Sequence, residues 1–131
     1  MSTTPLPGRP AKGSRTGRPL FALLDLMTRR WSMRIVWELQ GHSLTFLELQ
    51  RECDGMSSST LTLRLRELTE AKLVARQHDG SYELSSLGAA LPAAFGPLVS
   101  WAEEWADATA ADHSVTQGRE RSNSDASPTS E

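Results

Sequence analysis

From Pro19 onward the apolar residues Leu20, Leu23, Leu24 and Met27 recur at helical spacing, and the spacing predicts a first helix opening at the proline. Proline suits that place because the first turn of a helix leaves its N–H unpaired anyway. A second helix is predicted over residues 32–40, burying Ile35, Val36 and Leu39 and stopping at Gly41. Thr45 and Glu48 form a capping-box signature ahead of Phe46, Leu47, Leu49 and Arg51, so a third helix runs to about Asp54-Gly55. Ser57 caps a fourth, over residues 57–72, whose buried stripe is Leu61, Leu65 and Leu68.

The period then changes from that of a helix to that of a strand. Leu73, Val74, Ala75 and Arg76 lead to Asp79-Gly80, a signal for a type I′ hairpin, and Tyr82 and Leu84 face one side of the return strand. This is a two-stranded wing. Residues 86–110 are helical again, with Leu87, Leu91, Phe95, Leu98, Trp101 and Trp105 on one stripe; Pro92 and Pro97 predict a kink or break in its first half. The fold class expected is mainly α with a small β-hairpin wing, a winged helix-turn-helix.

Residues 1–18 and 111–131 lack apolar periodicity and are expected to be a disordered basic arm and a disordered tail around a domain at 19–110. A chain of 131 residues has room for one core. The formal net charge of −2 weighs against a nucleic-acid partner, but its distribution is uneven. The arm carries Arg9, Lys12, Arg15 and Arg18 without an acid, whereas residues 19–110 hold eight basic and twelve acidic side chains. DNA affinity has to come from a local patch and the arm.

Neither the N-terminus nor the stretch around Pro92, Gly96 and Pro97 reads as a secretory or membrane-spanning segment, so a cytoplasmic location is expected. Cys53 is the only cysteine, and His42, His78 and His113 are scattered, so no metal and no other cofactor is assigned. No nucleophile with a paired base and no glycine-rich phosphate loop is present, so an enzyme is not expected.

With Leu61, Leu65 and Leu68 facing inward, the fourth helix presents Ser59, Leu63 and Arg66, flanked by Thr60, Thr62 and Glu67. Short hydroxyl side chains at the start of such a helix can approach base edges and phosphates as donors or acceptors. The same serines also serve simply as a helix start, and Arg64 and Arg66, which can clamp phosphate, can equally be solvated surface.

Several strings in order resemble the HxlR-type branch of bacterial winged helix-turn-helix regulators, which is related to MarR-type regulators. They are Arg30-Trp31, Phe46-Leu47-Glu48-Leu49, Met56-Ser57, Leu61 through Leu68, Leu73-Val74-Ala75-Arg76 and Tyr82 through Gly88. The resemblance implies a homodimer joined by its first and last helices, with recognition helices in successive major grooves of a roughly palindromic operator. It implies DNA contacts by Arg51, Ser58, Ser59, Thr60, Thr62, Leu63, Arg64, Arg66 and Arg76. It also implies a transcription regulator, by default a repressor, that can respond to a small-molecule effector. Many members carry a sensor cysteine just before the first-helix proline; Arg18 stands there in this chain, so that mechanism is not inherited. The wing is short, and Leu63 replaces a more usual polar residue, where it can meet a thymine methyl.

Three readings stay open at this level. Cys53 is either a redox-responsive thiol or a small buried hydrophobe, with Glu52 and Asp54 raising its pKa. Leu20, Leu24, Trp31, Phe95, Leu98, Trp101 and Trp105 form either a dimer interface or, with Trp37, the lining of an effector pocket. The alternative to DNA recognition is a winged helix that binds protein, which the acidic body and short wing allow.

Overall fold

The computed structural model describes the backbone of residues 4–125 and the side chains of residues 4–111. Its elements are α1 (Pro19–Met27), α2 (Ser32–Glu38), α3 (Phe46–Glu52), α4 (Ser58–Glu70), β1 (Val74–Arg76), β2 (Tyr82–Leu84), α5 (Ser86–Ala94) and α6 (Gly96–Asp125). The order is that of a winged helix, and each expected helix is present. The chain divides into two compact units, residues 1–92 and 93–131.

The core of the first unit is built from one stripe of each helix. Ile35, Leu39, Leu49, Leu61 and Leu68 are fully buried, and each such side chain contributes roughly 1.5–3 kcal/mol through the apolar surface it removes from water. Ser32, at the start of α2, is also fully buried, and its hydroxyl has no hydrogen-bond partner. The wing is antiparallel, Val74 opposite Leu84 and Arg76 opposite Tyr82. Leu44 adds a third, single-residue rung, exchanging backbone hydrogen bonds with Tyr82 at 2.9 and 2.7 Å.

The wing turn differs from expectation. A type I′ turn needs positive φ at both central residues, yet of the Asp79-Gly80 pair only Gly80 has it, at 87°. Gly80 N–H donates to the Gln77 carbonyl at 2.9 Å, and Gln77 N–H to the Ser81 carbonyl at 2.7 Å. This is the longer hairpin loop, a turn followed by a left-handed glycine bulge. Asp79 prefers it because its carboxylate accepts from Ser81 N–H at 2.9 Å and from Ser81 Oγ at 2.6 Å, which holds that carboxyl below its ordinary pKa.

Residues 4–18 also depart from expectation, being folded. Gly8 N–H donates to the Gly17 carbonyl at 2.9 Å, Ala11 and Ser14 exchange backbone hydrogen bonds, and Lys12 N–H donates to Asp25 Oδ2 at 3.2 Å. Gly17, at φ 68°, lies so close to Arg9 that a Cβ would meet its carbonyl oxygen at 2.0 Å. Thr4 and Pro5 are buried, and Pro5, Leu6 and Pro7 flank a small hollow with Ala22, Leu26 and Leu73. Turn hydrogen bonds and a proline-rich apolar contact order this segment, and neither produces a periodic pattern.

In the second unit the break comes at Phe95, between α5 and α6. Pro92 lies inside α5, while Pro97 falls in the first turn of α6, where a missing N–H is harmless. α6 continues to Asp125, so the tail expected from 111 is helical over 111–125, a stretch containing the helix-forming residues Ala, Gln, Glu and Arg. Residues 126–131 lie outside the described residues.

Candidate nucleic-acid interface

α3 and α4 form the helix-turn-helix, and local chemistry sets both ends of the turn. Thr45 Oγ1 accepts from Glu48 N–H at 3.2 Å while Glu48 accepts from Thr45 N–H at 3.0 Å, completing the capping box and holding the Glu48 carboxyl below its usual range. At the other end Asp54 takes a left-handed conformation, φ 58°, and Gly55 N–H reaches back to the Gln50 carbonyl at 2.8 Å. The Gln50 side chain then donates to the Met56 carbonyl at 2.8 Å and to Ser58 Oγ at 3.1 Å, fastening the turn to the start of α4. Sequence reasoning missed Gln50, which carries no signal beyond lying near a helix end.

The capping hydroxyls are partly spent on structure. Ser57 Oγ accepts from Thr60 N–H at 3.2 Å and donates to Thr60 Oγ1 at 2.8 Å, and Ser58 is held by Gln50. What α4 offers outward is Ser59, Thr62, Leu63 and Arg66, all exposed and spaced along one face of the helix. Arg76, at the end of β1, is exposed beside them, its guanidinium 5.7 Å from the centre of the Tyr82 ring. Thr62, Arg66 and Arg76 line one open groove of about 600 Å³ whose apolar floor includes Phe46, Leu65 and Tyr82. Arg51 is exposed on the last turn of α3.

Arg64 is placed differently from its neighbours. Its Nε donates to the Arg30 carbonyl at 2.7 Å and its Nη1 to Glu67 Oε1 at 2.7 Å, and its side chain is only 15% exposed. The arginine expected to clamp phosphate is therefore turned toward the α1–α2 turn. Glu67, expected beside the outward face of the helix, is instead buried as its partner, because Arg64 and Arg29 both bond its carboxylate.

The apolar residues expected at an interface are mostly open to solvent. Leu20 and Leu24 on α1 are exposed, and Trp31, at φ 77° just before α2, is half-buried. On α6, Leu98, Trp101 and Trp105 are exposed, the two indoles stacked with centroids 6.1 Å apart; Phe95 is half-buried at the break. Cys53 is fully buried at the end of α3. Burial pushes its thiol up to about 11 despite the opposing charge of Arg34, with Glu38, Asp54 and Glu52 adding to the rise. So little thiolate exists at neutral pH that the buried-hydrophobe reading is favoured over redox response. Among the described residues no cluster of His, Cys, Asp and Glu can hold a metal, and no helix is long and apolar enough to cross a membrane.

The model of the HxlR-like helix-turn-helix family matches residues 26–110, which span all of the helix-turn-helix and the wing. The chain belongs to that family. An HTH-type transcriptional regulator of Bacillus subtilis, YvaP, is 31% identical over 90 residues, covering 64% of this chain and 83% of the relative. Among solved structures, quinone-bound YodB from B. subtilis is similar, with TM-score 0.60 and 29% identity over 65% of this chain and 94% of that one. A MarR-family regulator from Enterococcus faecalis matches with TM-score 0.60 and 31% identity, over 66% of this chain and 84% of that one. The HxlR-like assignment makes the protein a relative of transcriptional regulators and the fold a winged helix.

Proposed function

We propose that this protein is a homodimeric, sequence-specific DNA-binding transcription regulator that acts as a repressor on a roughly palindromic operator. The observation that carries the reading is the division of α4 into two faces. Leu61, Leu65 and Leu68 are buried, and Ser59, Thr62, Leu63 and Arg66 stand out beside Arg76 of the wing. A helix projecting that face fits the major groove, where the hydroxyls, the arginine and the leucine find base edges, phosphate and thymine methyls. Arg76 and Arg51 flank it for backbone contact, and Ser58 and Thr60 orient the helix start. The exposed faces of α1 and α6, with Leu20, Leu24, Leu98, Trp101 and Trp105, supply the dimer contact in this reading. Two recognition helices are then held about one DNA turn (~34 Å) apart. A small-molecule effector acting through the dimer belongs to the same reading, since the similar YodB has a quinone-bound structure.

Retardation of DNA from upstream of the protein's own gene, measured over a series of salt concentrations, tests this. Binding that exceeds that of scrambled DNA and weakens steeply with salt is the expected outcome. No retardation even at low salt transfers the protein to the class of winged helices that bind other proteins.

A further inference from the structure

Glu67 is 1% exposed and lies on the flank of α4, between its outward face and its apolar stripe. Its Oε1 accepts from Arg64 Nη1 at 2.7 Å and its Oε2 accepts from Arg29 Nη1. Arg64 also donates from Nε to the Arg30 carbonyl at 2.7 Å. Asp25, on α1, lies 4.0 Å from Arg29 Nε and accepts Lys12 N–H at 3.2 Å. One connected set of polar groups thus runs from the folded arm through α1 and the α1–α2 turn to the middle of α4.

Such a set is a costly way to fill space, because removing charges from water costs several kcal/mol per ion before pairing offsets it. What it provides that leucines do not is direction. Two of these bonds leave α4, Glu67 to Arg29 and Arg64 to the Arg30 carbonyl, and turning the helix about its axis breaks both, while the Arg64–Glu67 bond within α4 holds the two side chains in place for them. Rotation is also what decides which side chains meet DNA, since Ser59, Thr62 and Arg66 lie on one face.

We propose that Glu67, Arg64 and Arg29 form a positioning clamp that fixes the rotation of α4 and so sets sequence specificity without touching DNA. This rests on the DNA-binding reading above. Arg64 is then a positioning residue, and Arg66 and Arg76 are the phosphate-facing cations.

The discriminating variant is Arg64→Lys in the full-length chain. Lysine keeps the charge that a phosphate contact uses, but it lacks the planar fork that serves a carbonyl and a carboxylate at once. Binding is measured, over a range of salt, to a fragment from upstream of the protein's own gene and to a scrambled fragment of the same composition. The expected result for Arg64→Lys is an affinity for the upstream fragment lower by about tenfold, with scrambled-DNA affinity and salt slope unchanged. Arg66→Gln, by contrast, weakens both fragments and reduces the salt slope by about one. An Arg64→Lys protein that keeps the wild-type ratio between the fragments overturns the clamp alone. So does an Arg64→Gln protein that mirrors Arg66→Gln. A wild-type chain that retards neither fragment overturns the DNA-binding reading, and the clamp's role in specificity with it. Where Arg64→Lys does not fold, Glu67→Gln, of the same size, is read by the same outcomes.

Discussion

α4 and α6 are both helices with an apolar stripe, and the protein treats them in opposite ways. On α4 the stripe is closed within the chain, Leu61 and Leu68 at 0% exposure; on α6 the corresponding residues Trp101 and Trp105 stand at 58% and 60%. A stripe's presence in sequence therefore does not say whether the chain itself covers it. α4 is held from several sides, by the core, by the Ser57 cap and by Glu67. Among the described side chains α6 has its stacked indoles and the Thr109 hydroxyl bonded back to its own helix.

The largest effect is expected where the stripe is closed. Leu61→Ala should lower unfolding free energy by about 2–5 kcal/mol, because it leaves a cavity that the tight core cannot collapse. A denaturant titration checks it, and a change below about 1 kcal/mol would break the contrast with α6. Next comes the open stripe. Trp101→Ala and Trp105→Ala together should leave the unfolding midpoint of dilute protein nearly unchanged, while sedimentation shows self-association weakened by about 2 kcal/mol or more. If the wild type sediments as a monomer at all concentrations, the exposed face of α6 has another use.

Cys53 sharpens the comparison from inside the closed region. Its folded pKa is raised above the ordinary 9.0, so the folded state holds the proton more tightly than the unfolded one. Its contribution is whole below pH 9 and is lost as pH rises through about 11. By pH 10 that loss should be about 1 kcal/mol relative to Cys53→Ala followed over the same range. A Cys53→Ala protein with an identical alkaline profile would show that the thiol is not sequestered. The smallest effect is at Ser32, whose buried hydroxyl lacks a partner. Ser32→Ala should be neutral or stabilising by up to about 1 kcal/mol, read from the denaturant midpoint.

The legible and illegible parts of the candidate site divide along physical lines. Thr45 with Glu48, and Ser57 with Thr60, were readable because caps act over three residues of sequence. The outward face of α4 was readable from its period. Arg64 was not, because its partners, Arg30 and Glu67, come from two different segments, and only one is within a helical turn. The ordered arm was missed for a related reason, since Arg9 pairs with Glu70 at 3.1 Å across 61 positions. The wing turn was misassigned because Asp79 chose its own hydrogen bonds with Ser81 over the left-handed pair.

By itself, then, the sequence determined the order of the helices, the wing, the two caps of the helix-turn-helix and the family. These follow from periodicity and from interactions a few residues long. Only the tertiary structure decided which of two arginines on one helix stays exposed. Arg64 and Arg66 are alike in charge and nearly alike in position. They are separated by about half a turn of helix, which brings one against a buried glutamate and leaves the other in solvent.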